Sequence, residues 1–435
     1  MSVEEKAKGI SALDLKAGLE LQPFPHQEEA LTAWQQAGRR GVVVLPTGAG
    51  KTYLAQMAMQ STPRSTLVLV PTLDLMQQWY AHLKAAFPDA EVGLLGGGSK
   101  DRTPILVATY DSAAIHAETL GNRYGLLVFD ECHHLPSEFY RVVAEYSLAP
   151  YRLGLSATPE RSDGKHETLG ALVGPVVYRK APEDLAGGAL AEHRVVQLKV
   201  KLSDEERKRY DACIATRNAF LGKRNIRLGT LEGWSRFVRE SARTQEGRAA
   251  MLAHREARGL AFGTEGKLRV LADLLAQHHG DRTLVFTDDN ATVYRVSQDF
   301  LLPAITHQTK VKERHETLER FRSGAYPVLV TSKVLNEGVD VPEAKVAVVL
   351  SGTGSSREYV QRLGRILRRG EGKLAMLYEV VAEDTSEEGV SRRRRERPGA
   401  ERQGERQNER RSEPSPQRAL FAPIGEGEAL ELGDL

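Results

Sequence analysis

Short apolar runs that recur along the chain, each followed by a turn and a stretch of helical periodicity, constrain its fold more than any other feature. The runs occupy residues 41–45, 66–70, 104–109, 126–130, 152–156, 283–287, 327–331, 346–350 and 374–381. Strands that are apolar at every position are typical of parallel sheets buried on both faces. Two batches of alternating strands and helices therefore predict two doubly wound α/β domains in tandem, each with a parallel sheet.

Length and composition agree with two domains. The chain has 435 residues, more than one ordinary core accommodates, and 41% of them are apolar. Its 60 basic and 58 acidic residues nearly cancel, so the net charge of +2 says little about partners. With only Cys132 and Cys213, a disulfide framework or a zinc site is not expected. Because no signal peptide or membrane-spanning segment is recognisable, we expect a cytoplasmic protein without a membrane partner.

A segment of different character separates the two batches of strands. Ser203 and Glu206 have the spacing of a capping box, which predicts the start of a helix. Residues 204–258 hold 13 Lys or Arg against 8 Asp or Glu. This basic excess fits a solvated face and a nucleic-acid contact equally well. Trp234 and Phe237 are three residues apart, and this helical spacing favours core packing over stacking on bases.

The C-terminal segment is low in complexity. Residues 391–418 include ten arginines, five glutamates and no large apolar residue, a composition that predicts disorder. A solvated spacer is favoured here over an electrostatic arm for nucleic acid, because glutamates alternate with the arginines. The sequence thus predicts a first lobe at 1–195, a helical insertion at 203–262, a second lobe at 263–388 and a disordered basic tail at 389–435.

A glycine-rich loop follows the first apolar run and precedes a helical stretch. Its residues are Leu45, Pro46, Thr47, Gly48, Ala49, Gly50, Lys51 and Thr52. Glycines allow the backbone N–H groups to surround phosphate oxygens, and the helix N-terminus adds favourable partial charge. Lys51 is predicted to reach the β- and γ-phosphates of ATP, and the Thr52 hydroxyl to bind Mg²⁺. Leu45 stands where the general P-loop pattern has glycine, so the match is to a variant of that pattern.

An acidic pair ends the apolar run at 126–130. Asp130 and Glu131 would be costly at the end of a buried strand unless they have a task. An isolated Asp-Glu pair is more simply interpreted as a solvated strand end. Because Lys51 and Thr52 of the P-loop are also present, a functional role is favoured here. Asp130 is predicted to hold Mg²⁺ opposite Thr52, and Glu131 to polarise the attacking water as general base. Cys132, although it precedes His133, is not interpreted as a nucleophile because no triad is recognisable.

With these motifs and their order, the chain resembles the superfamily-two helicases and, within them, the XPB-type DNA helicases, particularly short prokaryotic forms. The resemblance runs from about residue 21 to about residue 395 and implies two RecA-like lobes. It implies that Gln27, in the segment 21–27 (LQPFPHQ), reads adenine. The first-lobe segments similar to those that contact the nucleic-acid strand are residues 70–72, with Pro71 and Thr72, and the pair Thr109–Tyr110. The residues similar to those that couple hydrolysis to movement are His133, Ser156 and Thr158.

The second-lobe motifs also resemble this family. Residues 331–342 (TSKVLNEGVDVP) are similar to a motif that touches nucleic acid through Thr331 and ATP through Gly338 and Asp340. Residues 361–368 (QRLGRILR) resemble the arginine-finger motif. In that match the catalytic residues are Gln361, Arg365 and Arg368, and the coupling residue is Arg362. Longer matches that are more specific to the XPB type lie at 96–98, 152–164 and 351–368.

The chain departs from the family pattern after its Ser-Ala-Thr motif. XPB-type enzymes often carry Arg-Glu-Asp there, whereas this chain has Arg161, Ser162 and Asp163. A strand-separating role of that element is therefore left open. The helical insertion occupies the place of a thumb-like element that grips DNA in the family.

The resemblance implies an ATP-dependent DNA helicase or translocase with little sequence preference, acting in DNA repair or a related DNA transaction. It also implies a monomer and a nuclease partner. Two alternatives remain open: an RNA-directed helicase of the same superfamily, and a DNA-dependent ATPase remodeller that recruits a nuclease without processive unwinding. A stand-alone P-loop kinase fits poorly, because it would not need the motif at 361–368.

Overall fold

The described strands form two separate sheets. The computed structural model describes residues 13, 15, 22–161, 163–228, 230–332, 344–352, 364 and 374–395. One sheet has eight strands and the other has six, and helices connect many of the strands. The predicted α/β class with two parallel-sheet domains is thus confirmed. Among the described residues, no helix is long and apolar enough to cross a membrane.

The first sheet contains the P-loop strand and the strand of the acidic pair. Its strands are β1 (Arg40–Val44), β2 (Thr66–Val70), β3 (Val92–Gly96), β4 (Ser99–Lys100), β5 (Ile105–Thr109), β6 (Leu126–Asp130), β7 (Tyr151–Ser156) and β8 (Val176–Arg179). They are ordered β4-β3-β5-β2-β6-β7-β1-β8, and only the β3–β4 pair is antiparallel. The helices of this lobe are α1 (Pro25–Gln36), α2 (Lys51–Ser61), α3 (Leu73–Ala86), α4 (Tyr110–Ile115), α5 (Ala117–Leu120), α6 (Val142–Glu145) and α7 (Leu169–Leu172).

The second sheet is parallel throughout. Its strands are β9 (Glu192–Val200), β10 (Thr283–Phe286), β11 (Ala304–Ile305), β12 (Val328–Thr331), β13 (Val346–Val349) and β14 (Leu374–Ala382). Their order is β11-β12-β10-β13-β14-β9. The helices after β9 are α8 (Asp204–Lys223), α9 (Leu231–Arg243), α10 (Gln245–Gly263), α11 (Glu265–Gln277), α12 (Asn290–Phe300), α13 (Val311–Arg322) and α14 (Ser386–Arg395).

All nine predicted strands are present, and their bounds agree within one residue. The agreement is close because valine, leucine and isoleucine fill strands that are covered on both faces. Five further strands, β3, β4, β8, β9 and β11, were not predicted. Strand β9 has a single buried residue and pairs with β14 along nine residues. The second sheet therefore begins at Glu192, inside the range 1–195 that was predicted for the first lobe.

Helices α8, α9 and α10 form the predicted helical insertion. The capping box is confirmed, since the Glu206 amide donates to Ser203 Oγ and the Ser203 amide donates to Glu206 Oε2. Phe237 is 0% exposed, as predicted for a core residue, but Trp234 is 40% exposed. Helix α9 directs Phe237 into the core and leaves Trp234 partly exposed. The ring centroid of Trp234 is 5.3 Å from that of His254. The prediction of core packing is thus confirmed for Phe237 and wrong for Trp234.

The insertion is attached to the second lobe on the side of α14. Arg207 donates to the backbone oxygens of Asp384 (3.0 Å) and Glu383 (2.8 Å). The Ser386 amide donates to the hydroxyl of Tyr210 at 2.8 Å. Both contacts join α8 to the segment that leads from β14 into α14.

The predicted start of the disordered tail, residue 389, lies too early in the chain. Residues 389–395 belong to α14, in which Ser391 is fully buried and accepts a hydrogen bond from Gln197 at 3.0 Å. Lys267 of α11 also holds this helix, because its Nζ donates to both carboxylate oxygens of Glu387 (2.7 and 2.6 Å) and to the Leu350 carbonyl (2.6 Å). These contacts order a segment whose composition predicts disorder. The rest of the predicted tail, 396–435, lies outside the described residues.

We expect Glu387→Gln to destabilise the second lobe by about 3–5 kcal/mol, because it leaves the buried Lys267 ammonium without its counter-charge. Equilibrium unfolding in urea measures this change. The matched control is Glu388→Gln, which removes an ion pair between the half-exposed side chains of Glu388 and Lys199. That pair should be worth about 0–1 kcal/mol. Equal losses in the two variants would contradict a structural role for the buried pair.

Candidate active site

The C-terminal ends of five neighbouring strands carry the predicted first-lobe motifs along one edge of the sheet. In the order β5, β2, β6, β7, β1, the residues at or just after these ends are Thr109, Thr72, Asp130, Ser156 and the P-loop. Ligands of open parallel sheets bind at this carboxyl edge. Strand β7 lies between the acidic pair and the P-loop, so Ser156 is placed between the two halves of the site.

The P-loop has the backbone of a phosphate-binding loop. Gly48 and Gly50 have φ angles of 89° and 78°, a left-handed conformation that is unfavourable for other residues. Helix α2 begins at Lys51 directly after the loop, so its free N–H groups face the loop. Lys51 Nζ donates to the Leu45 carbonyl at 3.2 Å, which holds the ammonium over the loop. Thr52 follows in the first turn of α2.

Gln27 supports the P-loop from α1. Its amide nitrogen donates to the carbonyls of Ala49 (3.3 Å) and Gly50 (3.2 Å), and its amide oxygen accepts from the Phe24 amide (2.9 Å). His26 Nε2 lies 2.9 Å from the Ala49 carbonyl. These bonds connect the glutamine motif to the loop that it would serve. The reading of adenine by Gln27 stays a prediction.

Asp130 is a buried carboxylate with identifiable donors. Its Oδ2 accepts from the indole of Trp79 (2.8 Å), and its Oδ1 accepts from the Glu131 amide (3.0 Å). The hydroxyl of Tyr110 donates to its backbone oxygen at 2.9 Å. Burial, reinforced by Glu131, raises the pKa of Asp130 to about 6, while Lys51 and the Trp79 donor act in the opposite direction. The carboxylate is thus oriented and held near Lys51.

Glu131 has an unusual backbone. Its φ and ψ angles are 46° and 52°, a left-handed conformation that costs a residue with a side chain about 1–3 kcal/mol. This turn directs the chain from β6 into the 3-10 helix Cys132–His134. Glu131 Oε2 lies 3.4 Å from His133 Nδ1. Cys132 is buried and burial raises the pKa of its thiol, which agrees with a packing role.

His133 joins the acidic pair to the predicted coupling motif. Its Nδ1 lies 3.2 Å from Ser156 Oγ, which also accepts from the Thr158 amide at 3.2 Å. The Leu45 amide donates to the Ser156 carbonyl at 3.1 Å. Ser156 therefore contacts both His133 and the strand end that leads into the P-loop. This contact set brings together the predicted coupling residues of the first lobe.

Arg161 binds the turn after the acidic pair. Its guanidinium donates to the His133 carbonyl at 2.8 Å and to both oxygens of Asp163 at 2.9 and 2.7 Å. This bidentate pair holds the pKa of Asp163 well below its usual range. Two residues of the divergent Arg161–Asp163 element thus act on the turn that contains His133, whereas Ser162 lies outside the described residues.

The predicted strand-contacting threonines have engaged hydroxyls. Thr72 is the N-cap of α3 and accepts from the Leu75 amide (3.3 Å), and Thr109 is the N-cap of α4 and accepts from the Ser112 amide (3.2 Å). Pro71 precedes Thr72 at the end of β2. Thr331 is fully buried and donates to the Ile305 carbonyl at 3.1 Å. Nucleic-acid contact by these four residues stays a prediction.

Most second-lobe site residues lie outside the described residues. They are Gly338, Asp340, Gln361, Arg362, Arg365 and Arg368. Gly364, within the arginine motif, is described: it is helical and buried, and a Cβ built on it would overlap the Thr47 side chain of the P-loop. Arg314 of α13 also forms an ion pair with Asp74 of α3 at 3.7 Å. These contacts join the second lobe to the site edge of the first lobe.

Trp79 was not singled out from the sequence, and Tyr110 was noted only as part of the strand-contacting pair Thr109–Tyr110, although both contact Asp130. A buried indole usually requires a partner for its N–H group, which is the general signal that Trp79 offers. The sequence does not reveal which acceptor that partner is. Only the order of the strands places α3 and α4 beside the end of β6.

Comparisons with known proteins agree with this arrangement. The family described as "Type III restriction enzyme, res subunit" matches residues 20–161, and the family described as "Helicase conserved C-terminal domain" matches residues 266–370. The helicase domain of Hef from Pyrococcus furiosus has a similar fold, with a TM-score of 0.56 at 19% identity, covering 85% of this chain and 97% of that one.

Similar proteins of known name identify the family more narrowly than these two family models do. The chain is 45% identical over 382 residues to the DNA 3′-5′ translocase XPB2 of Sulfurisphaera tokodaii. This alignment covers 88% of this chain and 86% of that relative. It is 33% identical to the DNA 3′-5′ helicase XPB of Mycobacterium tuberculosis, over 80% of this chain but only 59% of that longer relative. On this evidence the chain belongs to the XPB-type DNA helicases and translocases of superfamily two, which are ATP-hydrolysing enzymes.

Proposed function

We propose that the chain uses ATP hydrolysis to move 3′–5′ along DNA and to separate its strands in DNA repair or a related transaction. The direction is the one that the names of its relatives state. The observation that supports the proposal most directly is the common edge of P-loop, Ser156 and acidic pair, with the predicted strand-contacting motifs on the two adjoining strands. A DNA strand along this edge would lie beside the ATP site.

The proposed roles of the first-lobe residues follow from their positions. Lys51 and the P-loop amides bind the phosphates, and Gln27 holds the loop while its motif contacts adenine. Glu131, in the left-handed turn that follows β6, takes the proton of the attacking water. His133, Ser156 and Thr158 connect this turn to the P-loop strand.

The donor set fits a magnesium ion. Mg²⁺ is usually bound by one or two carboxylates together with substrate phosphates, rather than by a cage of protein ligands. The described residues contain no group of three acidic, His or Cys side chains arranged to hold a metal ion, but they do contain the buried Asp130 carboxylate at the end of β6. Asp130 and the Thr52 hydroxyl would hold the ion. When bound, it would neutralise charge on the transferring phosphoryl group.

The second lobe would complete the site. By resemblance, Arg365 and Arg368 supply the finger charges, Gln361 assists them, Arg362 couples the motif to movement, and Gly338 and Asp340 contact ATP. The contact of Gly364 with Thr47 supports this assignment, because it places the motif's glycine against the phosphate loop. Hydrolysis would then depend on closure of the two lobes, and closure in each cycle would move the bound strand.

Further features of the proposal rest on the family resemblance. The enzyme would work as a monomer in the cytoplasm, where DNA and ATP are available, and would act with a nuclease partner. Contacts by helix N-termini read the backbone and not the bases, so little sequence preference is expected. The exposed Trp234 of the insertion would contribute to the grip on DNA.

Steady-state ATP hydrolysis with DNA and RNA oligonucleotides of one sequence tests the proposal. We expect DNA to raise the rate severalfold, RNA to have little effect, and the stimulation to weaken as salt rises. Equal or greater stimulation by RNA would favour an RNA-directed helicase. A strand-displacement assay on a DNA junction completes the test, since steady DNA-dependent hydrolysis without displacement would favour the remodeller that recruits a nuclease.

A further inference from the structure

Two aromatic donors hold Asp130: Trp79, which lies outside the predicted motifs, and Tyr110, which belongs to the pair Thr109–Tyr110. The indole of Trp79 donates to Asp130 Oδ2 at 2.8 Å, and the hydroxyl of Tyr110 donates to the Asp130 backbone oxygen at 2.9 Å. Both side chains are 1% exposed, so both bonds are shielded from competing water. An ionised carboxylate has about four acceptor positions, so Asp130 can accept the indole and the Glu131 amide and still bind a cation.

Both donors lie on helices that begin at the predicted strand-contacting motifs. Thr72 caps α3, and Trp79 follows it by seven residues, which is about two helical turns or roughly 10 Å along the axis. Thr109 caps α4, and Tyr110 is the first residue of that helix. Each helix therefore has one end at a proposed DNA contact and an aromatic hydrogen bond to Asp130.

Strand order explains why both helices reach the same carboxylate. Strand β2 pairs directly with β6, and β5 pairs with β2 on its other side. The helices that follow β2 and β5 therefore begin at the sheet edge next to the end of β6. Helix α3 also carries Asp74, whose ion pair with Arg314 connects it to the second lobe. A displacement of α3 would change the Asp130 contact and the contact between lobes together.

We propose that Trp79 and Tyr110 are positioning residues that make the orientation of Asp130 depend on DNA bound at the proposed contacts of Thr72 and Thr109. This inference rests on the proposed function and deepens it, because it names the contacts through which DNA stimulates hydrolysis. DNA that fixes the starts of the two helices would fix both donors. Asp130 would then be held in the orientation that the reaction requires.

The chain offers matched substitutions for a test. Tyr110→Phe and Trp79→Phe each remove a donor to Asp130. Tyr124→Phe and Trp34→Phe remove donors of the same kind elsewhere in the first lobe, since Tyr124 donates to the Thr103 carbonyl and Trp34 to the Arg152 carbonyl. Like the tested residues, both control side chains are almost fully buried. Each pair therefore loses the same atoms from similarly buried positions.

The measurements are kcat and KM for ATP with and without saturating single-stranded DNA, and the Kd for DNA from fluorescence anisotropy. Loss of an outer partner of a metal-binding carboxylate typically lowers activity about 10–100-fold. We expect a loss of this size in the DNA-saturated kcat of Trp79→Phe and Tyr110→Phe, with a much smaller loss in the DNA-free rate. KM for ATP and Kd for DNA should stay within about twofold, and both controls should retain full stimulation.

Three outcomes would overturn the inference. The first is an equal fall in the DNA-free and DNA-saturated rates, which would make the two donors a static support of Asp130. The second is an equal loss of stimulation in the control variants, and the third is wild-type stimulation in both tested variants. Tyr110→Phe removes a single oxygen atom, so it remains informative even if Trp79→Phe lowers the unfolding midpoint. Failure of the proposed function is a separate result, in which DNA does not stimulate the wild-type enzyme.

Discussion

Glu131→Gln should abolish nearly all ATP turnover while ATP binding is retained. Glutamine keeps the size of the side chain and can occupy the same left-handed turn after β6, but it cannot accept the proton of the attacking water. A positioned general base contributes about 10²–10⁴-fold in rate. We therefore expect the DNA-stimulated kcat to fall by that factor, with the Kd for a fluorescent ATP analogue within about twofold of wild type.

A control variant and two contrary outcomes show whether the loss is specific to the role of Glu131 as general base. Glu118→Gln removes the charge of an exposed glutamate on α5 and should leave kcat unchanged. If Glu131→Gln hydrolyses ATP at more than about a tenth of the wild-type rate, Glu131 is not the general base. If it instead fails to bind ATP, the carboxylate supports the site and does not act on water.

Gly364→Ala should separate ATP binding from hydrolysis in a different way. The added methyl group would overlap the Thr47 side chain, so the second lobe could not approach the P-loop as closely. An arginine supplied across such an interface is worth about 10³–10⁵-fold in phosphoryl transfer. We expect the DNA-stimulated kcat to fall by about 10³-fold, the lower end of that range, while ATP still binds to the first lobe.

Gly170→Ala is the matched control for this variant. A Cβ at Gly170, in α7, meets no atom within 4 Å, so the same chemical change should leave hydrolysis unaffected. Unfolding midpoints of both variants should lie near that of the wild type, because the overlap at Gly364 is relieved by moving the lobes apart. Wild-type hydrolysis in Gly364→Ala would mean that the Gly364–Thr47 contact is absent from the active arrangement.

Nine strands of the two sheets and the ATP-binding loop were predictable from the sequence because their signals are local. Runs such as 66–70 and 126–130 are apolar at every position, and Gly48 and Gly50 adopt the left-handed backbone that only glycine adopts easily. Strand β9 lacks such a run, since most of its residues are only partly buried. Its assignment to the second sheet depends on pairing with β14, which is distant in sequence.

The contacts that support the site were also not predictable, because they too join residues that are distant in sequence. The bonds of Trp79 and Tyr110 to Asp130, and of Arg161 to the His133 carbonyl, join residues 20 or more positions apart. The helix at residues 389–395 was hidden by its arginine-rich composition, and it is held by a buried Lys267–Glu387 pair and by Gln197. Such contacts exist only once the strand order has been set.

The position of β9 has a consequence for how the helical insertion moves. The chain leaves the first sheet at Arg179 and enters the second at Glu192, before α8 begins, and α11 after the insertion also packs in the second lobe. The insertion therefore starts and ends on the same body, and its bonds from Arg207 and Tyr210 fasten it to that body's C-terminal segment. Among the described residues, 180–191 connect the first sheet to the second, and the insertion belongs to the second lobe. Any rotation of the second lobe relative to the first would therefore carry the insertion and its exposed Trp234 along.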